Sequence, residues 1–224
     1  MNLRSLVILP LLLVAAPALA VDHRVEKLDE APPADALGAE IAGKLQTTGA
    51  RVIRGTSREA ADIWLVKDLG VDPNAATAGG VQYPLQQGQL LGVVRYPREG
   101  SDFRDQDIPE GVYTMRYALQ PVDGAHVGTF PTRDFILLSK AADDQTAAPV
   151  DTMTLVERSF DASETAHPAM LALLKLDEKA ESYPGISHNE ERDWWIVRLE
   201  AATKAGEQAG KLPLDIVVAG YVEE

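Results

Sequence analysis

The chain has 224 residues, no cysteine, and 34 acidic against 21 basic side chains, a net charge of −13 at pH 7. That balance excludes a nucleic-acid partner, because neutralising phosphates takes clustered Lys and Arg, and it disfavours an anionic membrane surface. The missing cysteine excludes a disulfide framework, a thiolate metal site and a thiol nucleophile, so stability has to come from packing.

Residues 1–20 read as a secretory signal peptide. Arg4 supplies a basic start, Leu6 to Leu13 an apolar run, and Ala18-Leu19-Ala20 a small-residue cleavage site. Cleavage near Ala20 implies a mature chain from Val21 with 20 basic and 34 acidic residues. The expected location is periplasmic or secreted, in a bacterium. No later stretch is apolar for the eighteen or so residues a spanning helix needs, so no membrane span is expected after cleavage. No cysteine follows the signal to accept a lipid anchor.

Residues 21–35 carry charges and two prolines, and are expected to form an extended leader. Leu37, Ile41 and Leu45 recur at helical spacing behind Asp35, predicting a short amphipathic helix over 36–47. Ala50–Arg54 and Ala60–Lys67 predict two strands joined by a hairpin loop at 55–59. Residues 68–88 are punctuated by Gly and Pro and read as loop. Leu90–Tyr96 is a strand, and 111–120 is the clearest one: Tyr113, Met115, Tyr117 and Leu119 alternate with the remaining positions. Arg133–Lys140, apolar on both faces, predicts an interior strand. Residues 141–150 read as surface loop, 152–156 as a short strand, and 168–175 as a short helix opened by Pro168. Trp194–Glu200 and Leu214–Tyr221 close the chain as strands, joined by the Ala- and Gly-rich segment 201–211.

Many short strands, few helices and no βαβ rhythm predict a mainly β fold. The expected form is an antiparallel β-sandwich with two short helices, a single domain over 36–224. In the strand 194–200 the two tryptophans must face opposite sides, Trp195 with Val197 and Leu199, Trp194 with Ile196. One of them then belongs to the core; the other covers the second face or stacks on a ligand.

Catalytic motifs are missing. There is no G-x-S-x-G elbow, no phosphate-binding glycine loop and no calcium-loop spacing after Asp72; His188-Asn189-Glu190-Glu191-Arg192 lacks the second histidine of a zinc-protease helix. No catalytic residue, metal ligand or cofactor is assigned. A zinc or copper site from His126, His167 and His188 gets no support from their spacing.

The remaining polar concentration runs from Arg116 to Asp134 and links two apolar strands. Arg116, Asp123, His126, Arg133 and Asp134, with His167 as an outlying member, form the candidate ligand-binding set. A bidentate guanidinium would meet a carboxylate or sugar hydroxyls. The competing reading is an Arg116–Asp134 ion pair between neighbouring strands, with an Asp-Gly turn in the loop.

The segments Ile108–Tyr117, Gln120–Gly128 and Thr132–Leu138, with Ile63-Trp64-Leu65 and the His167-Pro168 turn, resemble an uncharacterised group of exported bacterial proteins of unknown function. The resemblance brings no catalytic residues. The expectation is a non-enzymatic exported module that binds a small molecule, glycan or envelope protein; the alternative is a metal-dependent or hydrolytic enzyme using loop His and Asp residues.

Overall fold

The computed structural model describes residues 22–72, 79–123, 130–176 and 181–220. The candidate signal segment 1–20 and His126 lie outside the described residues. The described strands are β1 (His23–Leu28), β2 (Gly49–Arg54), β3 (Arg58–Leu65), β4 (Leu69–Gly70), β5 (Leu90–Tyr96), β6 (Gly100–Ser101) and β7 (Asp107–Ile108). They continue with β8 (Gly111–Leu119), β9 (Asp134–Lys140), β10 (Met170–Leu174), β11 (Gly185–Asn189), β12 (Trp194–Ala205) and β13 (Gln208–Ala219). The two helices are α1 (Ala39–Lys44) and α2 (Thr152–Ser163).

The mainly β, antiparallel architecture with two short helices is the expected class. Its layers are opposite parts of one continuous sheet, ordered β1-β2-β3-β5-β8-β9-β10-β13-β12-β11, and nearly closed into a barrel. β1 approaches β11 at the seam. β4 pairs in parallel with Thr203 and Lys204 of β12, which brings the end of the β3 segment onto the far side of the sheet. A small β6–β7 hairpin stands apart.

The main core fills the inside of this curl. Tyr113, Met115 and Tyr117 of β8 pack there with Ile136 and Leu138 of β9 and with Trp64 and Ile63 of β3. Each such side chain contributes roughly 1.5–3 kcal/mol through burial before entropy costs. Leu37, Ile41 and Leu45 join the same core, which explains their spacing. The helix they predicted is shorter than 36–47: Gly38, not Asp35, stands at its N-cap, after a 3-10 turn at Ala34–Ala36.

The other face of β8 is also covered. Ala118 and Leu137 pack under Leu155 of α2, so Thr114 and Arg116 are fully buried rather than facing solvent. A third apolar cluster, with Phe103, Phe135 and Trp194, covers part of β9, β10, β12 and β13.

Four expectations need correction. The leader segment contributes β1, paired with β2 over six residues, so the domain begins at His23 and not at 36. Residues 152–163 form α2, capped by Asp151, whose carboxylate accepts from the Thr154 N–H at 3.0 Å. Its buried positions are Leu155, Ser159, Ala162 and Ser163; three of the four are small or polar, so the hydrophobic period is faint in the sequence. Residues 170–174 form β10, because Met-Leu-Ala-Leu-Leu is apolar on both faces and lies between β9 and β13. Segment 201–211 continues the β12–β13 hairpin through Gly206 at φ +60°.

Candidate functional site

Arg116 sits in the middle of β8, on the face covered by α2 and the loop before it. A buried guanidinium needs an acceptor for each of its five N–H groups. It has them. Nε donates to Asp144 Oδ2 at 2.6 Å and Nη2 to Asp144 Oδ1 at 2.9 Å. Nη2 also donates to the Thr146 carbonyl, and Nη1 to the carbonyls of Gly88 at 2.7 Å and Ala148 at 2.9 Å. Asp144 further accepts from Thr114 Oγ1 at 2.6 Å and Arg158 Nη1 at 3.2 Å. The ion pair expected between Arg116 and Asp134 is replaced by one with Asp144, and the segment read as a plain surface loop supplies that acid.

Asp134 lies at the start of β9 and bonds Tyr117, the neighbour of Arg116 on the opposite face of β8. Its carboxylate accepts from Tyr117 Oη at 2.6 Å, Gln82 N at 2.8 Å and Tyr83 N at 3.1 Å. Burial outweighs these donors and pushes the Asp134 carboxyl above the ordinary aspartate range. Arg133 is half-buried and donates through Nε and Nη2 to the Gln120 carbonyl at 3.0 and 2.9 Å. Asp123 is exposed. His167 is exposed in the turn after α2, where its carbonyl accepts from Ser163 Oγ and Thr165 Oγ1. Arg116 and Asp134 thus belong to different networks, while Arg133, bonded to the Gln120 carbonyl, lies close enough to Asp134 to favour its charged form.

Other buried acids are taken up in the same way. Asp62 accepts from Arg51 Nε at 2.7 Å and Arg95 Nε at 3.0 Å across β2, β3 and β5. Asp102 gathers the N–H groups of Arg104, Gln106 and Met170, tying the β6–β7 loop to β10. At the seam, His188 stacks on Trp195 with centroids 4.2 Å apart and contacts Asp193 at 2.7 Å through Nε2. Trp194 is buried on the opposite side against Phe130. Among the described residues no group of three or more His, Cys, Asp or Glu is arranged to hold a metal ion.

The sequence reading missed a groove of about 570 Å³ at the C-terminal end of α1, with mixed polar and apolar walls. Its walls are α1, the link from β3 through β4, the turn before β5 and the loop at 147–149. Gly43, Lys44, Lys67, Asp68, Gly70 and Gln89 are among the lining residues. The walls hold one another: Lys67 N donates to the Lys44 carbonyl at 2.8 Å, Gln89 Nε2 to the Gly70 carbonyl at 2.7 Å, and Ala147 N to Glu40 at 3.2 Å. Arg116 reaches the same walls from behind, through the carbonyls of Gly88, Thr146 and Ala148. The only hint of this in the sequence is a helical glycine at 43 beside an otherwise regular apolar repeat.

Comparison with protein-family models, curated proteins and solved structures finds no match to this chain.

Proposed function

We propose that this chain is an exported, non-enzymatic binding protein of the bacterial envelope or periplasm, recognising a small molecule, glycan or envelope protein. Export rests on the basic start, apolar run and small-residue site of residues 1–20. The observation that carries the binding reading is the fate of the interior ionisable groups. Arg116, Asp62, Asp102 and Asp134, the residues most suited to chemistry by burial, are saturated by partners within the chain. An enzyme keeps such groups facing a cleft. Here they are struts of a stiff scaffold, and what opens to solvent is groove and strand edge.

The test uses the purified mature chain. Melting temperature is followed against panels of glycans, peptides, metabolites and divalent metals, with turnover assays on ester, phosphoester and glycoside substrates alongside. Saturable stabilisation without turnover is expected. Turnover lost in His126→Ala or Asp123→Ala would establish the enzymatic alternative instead. Mass spectrometry of the protein from its host should give an N-terminus at or near Val21; an intact Met1 species in the cytoplasm would overturn export.

A further inference from the structure

We propose that the groove beside α1 is a site for a short peptide with free termini, an assignment that rests on the binding reading above. Two glycines point to it. Gly43 lies inside α1, where glycine is less favourable than alanine, and Gly70 lies in β4. Neither has a positive φ. A Cβ on Gly43 would meet no atom within 4 Å, and one on Gly70 would meet only Gln89 Nε2, at 3.5 Å. Gly88 and Gly92, by contrast, are crowded by backbone closer than 2.2 Å to such a Cβ. Packing therefore does not require glycine at 43 or 70, yet both line the same groove, and their missing side chains keep its walls at backbone level.

Bare walls admit another main chain at close range. On the groove side, the Gly70 carbonyl is met by the amide of Gln89, so a side chain occupies the place a strand's N–H would take. The charges fit the same ligand. Lys44 and Lys67, whose Nζ also donates to the Gly43 carbonyl at 3.2 Å, supply cations and Asp68 a carboxylate, which complements a molecule carrying one carboxylate and one ammonium group. Among the described residues no aromatic ring lines the groove to stack on a sugar or a base. Its volume lies within the usual range for small-ligand sites. The mutual bonding of the walls, reinforced by Arg116, presents the site already formed, which lowers the ordering cost of binding.

The experiment measures melting temperature of the mature protein with a mixed-sequence tetrapeptide pool bearing free termini. The same pool N-acetylated and C-amidated is the control, with maltotetraose as a sugar probe. The free pool should give a saturable rise, and capping should raise the half-saturating concentration by about tenfold or more. Gly43→Leu and Gly70→Val each place a side chain in the groove, and each should abolish the rise. Gly43→Leu should leave the ligand-free melt unchanged or higher, since it improves helix propensity. No saturable rise up to about 10 mM, or an equal rise in both variants, would overturn the site. Stabilisation by maltotetraose alone, undiminished in Gly43→Leu, would overturn the peptide site and leave the binding reading standing.

Discussion

Arg116 of β8 and Asp144, four residues beyond the end of β9, form a two-pronged ion pair with both side chains fully buried. Through three carbonyls the same guanidinium ties the turn at Gly88 to the loop at 146–148. The pair is therefore a junction between the sheet and the segments laid over it.

Arg116→Met leaves Asp144 buried with only Thr114 and Arg158 as donors, and should cost about 3–5 kcal/mol. Asp144→Leu should cost a similar amount, because it strands the guanidinium. The double variant should be less destabilised than the two costs added, since no uncompensated charge remains between them. Denaturant unfolding of the four proteins measures this cycle. Strict additivity would mean that the pair does not act as a unit.

Met115→Ala opens space in the main core and should cost about 2–5 kcal/mol. The opposite face of β8 is not a neutral control, because Thr114 is buried against Asp144. Thr114→Val should cost about 1–3 kcal/mol by removing a donor from a buried carboxylate. Lys204→Ala on the exposed part of β12 should stay within about 0.5 kcal/mol. Chemical denaturation of the three variants gives the order. A Thr114→Val protein as stable as the wild type would show the hydroxyl to be dispensable.

Strands β2, β3, β5, β8 and β9 were legible because their apolar periods reflect burial against one core, whereas the two-residue strands β4, β6 and β7 are too short to show a period. The need of Arg116 for a partner was legible too, since a cation on a core strand must be neutralised. Its identity was not. Asp134 is nearer on the strand pair, but strand alternation turns it to the other face, while Asp144 arrives only when the following loop folds back over β8. Helix α2 was hidden by its small buried residues Ser159, Ala162 and Ser163, and β10 by having no polar face. The groove left only the glycine at 43 as a hint, because its walls come from segments far apart in the chain: α1, the link from β3 through β4, the turn before β5 and the loop at 147–149.

A chain beginning at residue 36 tests whether β1 belongs to the fold. Its loss would bare the edge of β2, uncover the core around Leu28, and remove the Glu30 carbonyl that accepts from Trp64 Nε1 at 2.8 Å. The truncated protein should melt at lower temperature and self-associate through the freed edge. Size-exclusion chromatography and a thermal melt provide the readout. A monomer with unchanged melting temperature would make β1 peripheral.

Asp102 and Asp134 are held above the ordinary aspartate value of 3.8 chiefly by burial, against the donors that each accepts. A carboxyl whose pKa is raised on folding stabilises the native state fully below the unfolded value, and that contribution is lost as pH rises through the folded value. Asp134→Asn and Asp102→Asn are neutral at every pH, so each should add an offset that does not titrate at that position. The stability advantage of the wild type over each variant should accordingly shrink as pH rises above 3.8. Denaturant midpoints from pH 4 towards neutrality, measured in parallel for the three proteins, give that difference directly. A difference that stays flat or widens with pH would mean that the donors, Tyr117 Oη foremost at Asp134, outweigh burial.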